Sequence, residues 1–241
     1  MSGTANGIRI AIDGPGSSGK GTVAKSVAQA LGYRYIDTGA MYRAVALAAE
    51  RQNIGWKSDA IGGVARAATI DFAWDGTSLR TTLEGEDVSE AIRTEEIGRG
   101  ASDVASVPEV RAALLEHQRA LGRSGGVVMD GRDIGTVVLP DAELKVYLDA
   151  SLDERARRRA LELEERGEQW PLERVRDDLR ERDRQDAGRT VAPLKQAADA
   201  VYIDTTGLSP DAARDRILAL ARDRGARPRT PGFLDGGPSI E

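Results

Sequence analysis

Residues Ile8–Thr22, IRIAIDGPGSSGKGT, carry a five-residue apolar, β-branched stretch straight into a run of glycines that ends in lysine. A chain of this kind must break a buried strand at Gly14 and reopen it as a helix after Gly19. That geometry aims a row of backbone N–H groups, and the positive end of the helix, at one point. A polyphosphate suits such a point. The spacing is GxxxxGK from Gly14 to Lys20, with Gly21 where Ser or Thr usually follows the lysine, and Thr22 one place later. On this reading Gly14, Pro15, Gly16, Ser17, Ser18, Gly19, Lys20, Gly21 and Thr22 surround the phosphates. Lys20 supplies a mobile cation, and the Thr22 hydroxyl lies beside a Mg²⁺ site. A chance glycine-rich turn has no need of strand and helix signals on both flanks, and both are here.

The 241 residues suffice for one domain with insertions. A net charge of −5 speaks against nucleic-acid or membrane-surface partners. The absence of cysteine excludes disulfides and thiolate metal sites. The polar start MSGTANG lacks the basic and apolar regions of a signal peptide, and no apolar run approaches membrane-spanning length. The expectation is a soluble cytoplasmic protein.

Five apolar runs, Ile8–Ile12, Tyr33–Ile36, Gly126–Met129, Leu144–Leu148 and Val201–Ile203, alternate with helix-like sequence. This pattern predicts an α/β fold with a five-stranded parallel sheet covered on both faces. Helices are expected over Thr22–Leu31, stopped by Gly32, and over Met41–Arg51 and Val110–Leu121. TIDFAW and SLRTTLEGEDV alternate around Asp75-Gly76, which predicts a hairpin inside an inserted subdomain between about Gly62 and Ala105. Residues 152–189 are dense in both charge signs, so they form either a solvated helical pair or a ligand-covering segment. The core then comprises about 8–61, 106–151 and 190–224, and the Pro/Gly-rich stretch 225–241 is expected to be disordered.

Three clusters add chemistry. In YIDTGAMYRAV, Asp37 and Thr38 end the second strand; Thr38 either caps the next helix or, with Arg43, meets a second phosphate. In VVMDGRDIGTVVLPDA, Asp130 ends a strand where a carboxylate can hold Mg²⁺ or its waters. Arg132 and Asp133 follow, exposed at the same edge or joined in a turn salt bridge. In RDRQDAGR, helical spacing puts Arg182, Asp186 and Arg189 on one face, two guanidinium groups bracketing one carboxylate, which suits a phosphorylated sugar. Two facing phosphate sites imply transfer between two phosphorylated molecules. His117, Trp56, Trp74 and Trp170 read as structural or surface residues.

Together, IDGPGSSGKGT, DTGAMYRAVAL, EGEDVSEAIRT, VMDGRDIGTVVLPDA, ERDRQDAGR and VAPLKQAADA resemble the bacterial cytidylate kinase family from about Ile8 to Leu220. The resemblance implies a P-loop kinase fold with a nucleotide-binding insertion (62–105) and a mobile lid (152–189), acting as a monomer. It implies transfer of phosphate from ATP to CMP or dCMP with Mg²⁺. It assigns Thr38, Arg43, Arg132 and Arg189 to the CMP phosphate, Ser102, Arg111 and Asp133 to cytosine, and Arg182 and Asp186 to the ribose. Lys20, Arg132, Arg189 and the lid residue Arg158 would act on the transferring group, with Thr22 and Asp130 at the metal. The P-loop centre departs from the family's GPSGAGKGT or GPAGTGKSS but keeps its glycines and lysine. The alternatives are another small-substrate P-loop kinase taking UMP, AMP or shikimate, or a nucleotide-dependent switch. The paired-Asp motif of shikimate kinases and the [NT]KxD motif of guanine-specific switches do not occur here.

Overall fold

The computed structural model describes residues 7–74 and 79–229. In chain order these form β1 (Arg9–Asp13), α1 (Lys20–Leu31), β2 (Arg34–Asp37), α2 (Thr38–Arg51), α3 (Ile61–Ala67), β3 (Ile70–Trp74), β4 (Leu79–Leu83) and β5 (Glu86–Asp87). There follow α4 (Glu95–Val104), α5 (Pro108–Gly122), β6 (Val127–Gly131), β7 (Leu144–Asp149), α6 (Leu152–Glu165), α7 (Leu172–Ala187), β8 (Val201–Asp204) and α8 (Pro210–Asp223).

The expected parallel sheet is present as five strands in the order β2-β6-β1-β7-β8. The middles of its strands are mostly apolar because both faces are covered, and the acids Asp13, Asp37, Asp149 and Asp204 fall at the C-terminal ends. Ile10 and Ile12 point into a cluster with Val23, Val27 and Leu31 of α1 and Ile217 of α8. Ala11, Val127 and Met129 face the other way, toward Ile134, Val138 and the edge of α5. Burying each of the large side chains contributes roughly 1.5–3 kcal/mol. With β1 central, its C-terminal end opens between two neighbours, the position where ligands bind in open α/β sheets.

A second sheet, β3-β4-β5, is antiparallel and lies apart from the first. Its Ile70 and Leu83 join one core with α2, α3, α4 and α5. The Asp75-Gly76 turn lies outside the described residues. The stretch read as one strand from Ser78 to Val88 is two, because Glu84 and Gly85 both take positive φ (51 and 80°) and reverse the chain. Charge alternation in this stretch masked that turn.

Helices α6 and α7 pack on each other through Ala156, Leu163, Val175 and Leu179. Helix α7 ends at Ala187, so Arg189 lies beyond it and does not share a helical face with Arg182 and Asp186. The start of the expected disordered tail is ordered: Ala226 is buried and the Arg229 amide donates to the Leu31 carbonyl at 2.8 Å. Residues 230–241 lie outside the described residues. Among the described residues no helix is long and apolar enough to cross a membrane.

Candidate active site

The end of β1 runs into the glycine loop as expected. At Gly14 a Cβ would sit 2.0 Å from the Leu148 carbonyl, so only glycine lets the loop leave the sheet so close to β7. Gly19 caps α1 in a left-handed conformation and makes no side-chain cap bond, which leaves the first amides of α1 for a ligand. Lys20 is buried, and its Nζ donates to the Pro15 carbonyl at 3.2 Å. Burial, with Arg132 nearby, lowers its pKa to about 7. An anion placed here would restore the ammonium form.

Gly16 to Thr22 line one cleft of about 1080 Å³, and the same cleft is lined by the other predicted residues, from Thr38 to Arg189. Gly14 and Pro15 stand behind the loop, outside that lining. Helix α2 is capped by Asp37, which accepts from the Ala40 amide at 3.0 Å, and not by Thr38. Thr38 is the first helical residue and donates to the Asp130 carbonyl at 2.8 Å. Its approach requires glycine at 131, where a Cβ would lie 2.6 Å from the Thr38 hydroxyl. Arg43 pairs with Asp37 at 2.6 Å.

Arg132 and Asp133 do not bridge each other. Arg132 donates to Asp186 at 2.7 Å, and Asp133 forms a buried pair with Arg111, whose guanidinium lies 5.5 Å over the Tyr42 ring. Asp186 is bracketed by Arg132 and Arg189, replacing the expected bracket of Arg182 and Arg189. The interior is crowded with cations. Burial and the Arg132 charge bring Arg182 down to about 10. Burial also lowers Arg189, while burial raises Asp186 less than Arg132 and Arg189 lower it. The Nε atoms of Arg43, Arg111, Arg182 and Arg189 are buried without a protein partner, and all four side chains line the cleft. Buried donors in that state call for a ligand with several acceptor oxygens.

Asp130 accepts from the Tyr35 hydroxyl at 2.9 Å through one oxygen. The other faces Gly21, 3.9 Å from where a Cβ would stand. Burial and the neighbouring Asp37 raise its pKa to about 6. Thr22 is exposed to the cleft. Among the described residues no group of three His, Cys, Asp or Glu could cage a metal. One hydroxyl and one carboxylate form an oxygen-only, incomplete set, which fits a Mg²⁺ ion that keeps its waters and leans on substrate phosphates.

Of the three arginines at 157–159 on α6, Arg158 faces the glycine loop, donating to the Ser18 carbonyl at 3.1 Å and to the Thr205 carbonyl at 2.7 Å. Arg157 is turned outward on Glu154, and Arg159 pairs with Glu95 and Glu162. Ser102 is buried and lines the cleft on α4. Trp56 is structural, donating to the Ala46 carbonyl at 3.1 Å, and His117 is half-buried on α5. Trp170 lines the cleft beneath Arg174, a place the sequence reading did not give it. The side chain of Trp74 lies outside the described residues.

Four residues of this neighbourhood have no site role in the sequence expectations, Arg155 among them, which stands there only as part of a charge-dense segment. Arg155 is buried between Asp183 (2.8 Å) and the Gly16 carbonyl (3.4 Å). Thr205 donates to the Ser18 carbonyl at 3.1 Å. Tyr35 donates to Asp130, and Asp13 accepts from the Ile134 and Gly135 amides. Asp13 alone carried a usable signal, an acid at a strand end like Asp37 and Asp130.

A five-stranded parallel sheet with β1 central, a glycine loop leading into α1 and an arginine-lined cleft define a P-loop phosphotransferase of the nucleoside monophosphate kinase type. The family model described as cytidylate kinase matches residues 10–223. The chain belongs to the cytidylate kinase family. It is 52% identical over 222 residues to the cytidylate kinase of Citrifermentans bemidjiense, covering 91% of this chain and 94% of that protein. It is 51% identical over 220 residues to that of Geobacter sp. (strain M21), with the same coverage of 91% and 94%. To that of Klebsiella pneumoniae (strain 342) it is 46% identical over 222 residues, covering 92% and 98%.

Proposed function

We propose that the protein transfers the γ-phosphoryl group of ATP to CMP and dCMP, giving ADP and CDP or dCDP. An oxygen of the CMP phosphate attacks the γ-phosphorus as the bond to the β-phosphate oxygen breaks. The attacking oxygen is already anionic, so no general base is required. The loop from Gly14 to Thr22 holds the ATP phosphates, and Lys20 and Arg158 balance charge on the transferring group with Arg132 and Arg189. Thr22 and, through water, Asp130 would hold Mg²⁺, which supplies charge neutralisation of the phosphate oxygens when bound. Thr38, Arg43, Arg132 and Arg189 receive the CMP phosphate; Thr38 must rotate its hydroxyl away from the Asp130 carbonyl to do so. Arg182 and Asp186 take the ribose. Residues 62–105 act as the acceptor-binding insertion, and residues 152–189 close over both substrates.

The observation that carries the choice of base is the buried Arg111–Asp133 pair, which lines the same cleft as Ser102. Cytosine offers an amino donor at N4 and acceptors at N3 and O2, so Asp133 accepts from N4 while Arg111 donates to N3 or O2. Uracil would set a carbonyl against the carboxylate and an N–H against the guanidinium. In a buried site such a mismatch discriminates by several powers of ten. A coupled assay offering ATP with CMP, dCMP, UMP, AMP and shikimate tests this. CMP and dCMP should exceed the others in kcat/KM by about 100-fold or more; equal use of UMP or AMP would overturn the reading.

A further inference from the structure

Asp13 is the last residue of β1 and is followed directly by the phosphate loop. It is 4% exposed, yet the reaction as described gives it no task. Its two oxygens are both occupied, one accepting from the Ile134 amide and the other from the Gly135 amide, each at 2.8 Å. These are the opening amides of the single π-helical turn Ile134–Val138, and they lie more than a hundred residues away in sequence.

The residue that would ordinarily cap that turn is Asp133. It stands at the capping position, and aspartate readily bonds amides one to three places ahead of itself. Here its side chain makes no cap bond and instead lies on Arg111. A carboxylate that caps its own turn spends one oxygen there, as Asp37 does on the Ala40 amide; with Ile134 and Gly135 held by Asp13, both oxygens of Asp133 are left for Arg111 and the base. We propose that Asp13 is the positioning residue for acceptor selection: by capping the turn from a neighbouring strand, it releases Asp133 for Arg111 and the base. This rests on the base-reading role given to Asp133 above.

The surroundings support the assignment. Asp13 and Gly131 are register partners in adjacent strands, so the clamp lies one residue from Arg132 on the acceptor edge. Burial raises the Asp13 carboxyl to about 7, a rise opposed by those same two amides and by Arg132, with Asp133 adding to it. The cost of burying this acid is sustained where a neutral side chain would have served packing alone. One carboxylate thereby ties the entry of the donor loop to the turn that reads the acceptor.

The test is the ratio of kcat/KM for CMP to that for UMP in the wild type, Asp13→Asn, Asp133→Asn and the double variant. Asparagine at 13 accepts one amide but presents an amino group to the other. The freed amide then competes for Asp133. The expected ratio for Asp13→Asn is about tenfold below wild type, with KM for ATP unchanged within about twofold. In the Asp133→Asn background, adding Asp13→Asn should change the ratio by less than about twofold, because the effect runs through Asp133. Independent, multiplying losses would mark Asp13 as merely structural and overturn the proposal. So would an unchanged ratio in a folded Asp13→Asn protein. Should Asp13→Asn fail to fold, Gly135→Ala takes its place: the new Cβ meets the Lys145 stem at 3.2 Å, which can give way, and Asp13 Oδ2 at 3.3 Å, without altering any charge. It should lower the ratio in the same direction, and an unchanged ratio there overturns the proposal. A wild-type ratio near one would instead refute the base-reading role of Asp133, and this proposal with it.

Discussion

Along one wall of the cleft a single run of residues, Gly14 to Thr22, presents backbone amides and one lysine. The rest of the lining gathers Arg43 from α2, Arg111 from α5, Arg132 and Asp133 from just beyond β6, Asp186 from α7 and Arg189 from beyond it. The first wall is made by chain geometry; the second is made by ion pairs such as Arg111–Asp133 and Arg132–Asp186–Arg189. A triphosphate offers the same oxygens on every nucleotide, so backbone suffices to hold it. An acceptor must be told from its near relatives, and that demands donors and acceptors fixed at chosen points. Substitutions on the first wall should therefore be tolerated unless they remove charge or shape. On the second they should fall on the acceptor alone.

The largest effect is expected at the one side-chain charge of the loop. Lys20→Ala should lower kcat by about 10³-fold, the scale of removing one preorganised stabiliser of developing charge. Folding should be spared, because a buried ammonium whose pKa is already depressed costs the fold more than it returns. Melting temperature and single-turnover rates measure the two sides. Near-normal turnover would refute the phosphate role of this lysine.

Asp186→Ala is expected to be next. It leaves Arg132 and Arg189 buried beside each other without their shared carboxylate. Stability should fall by about 3–5 kcal/mol, the range for breaking a buried pair. kcat/KM for CMP should fall about 100-fold while KM for ATP stays within about threefold. An equal loss for both substrates would break the division between the walls.

That same division governs how much could be read from the sequence. The sheet was legible because each strand is a short apolar run, and Gly32 stops α1 where expected. The donor wall was legible because its parts are contiguous. The residues expected on the other side of the site do line the cleft, but their pairings do not follow from the sequence. Arg189 and Asp186 were expected on one helix face, yet the helix ends between them and Arg132 arrives from β6 to take the carboxylate. Thr38 was a credible cap until Asp37, one place earlier, proved to hold the Ala40 amide. Asp13, Tyr35, Arg155 and Thr205 act through contacts between distant segments, which periodicity and spacing do not encode.

The smallest effect belongs to Ser17, and it tests the comparison from its weak side. Ser17 sits mid-loop at φ 58°, where a side chain costs roughly 1–2 kcal/mol. Ser17→Gly removes that strain but frees the unfolded chain, a penalty of about 0.4–1 kcal/mol. The balance favours glycine by about 1 kcal/mol, so the melting temperature should rise by only a few degrees. If the loop holds phosphate through its amides, activity with ATP and CMP should stay within about twofold, since glycine keeps the N–H and the turn. A tenfold rise in KM for ATP in a variant that melts normally would give the Ser17 hydroxyl a direct part in holding the donor. The donor wall would then depend on side chains as the acceptor wall does.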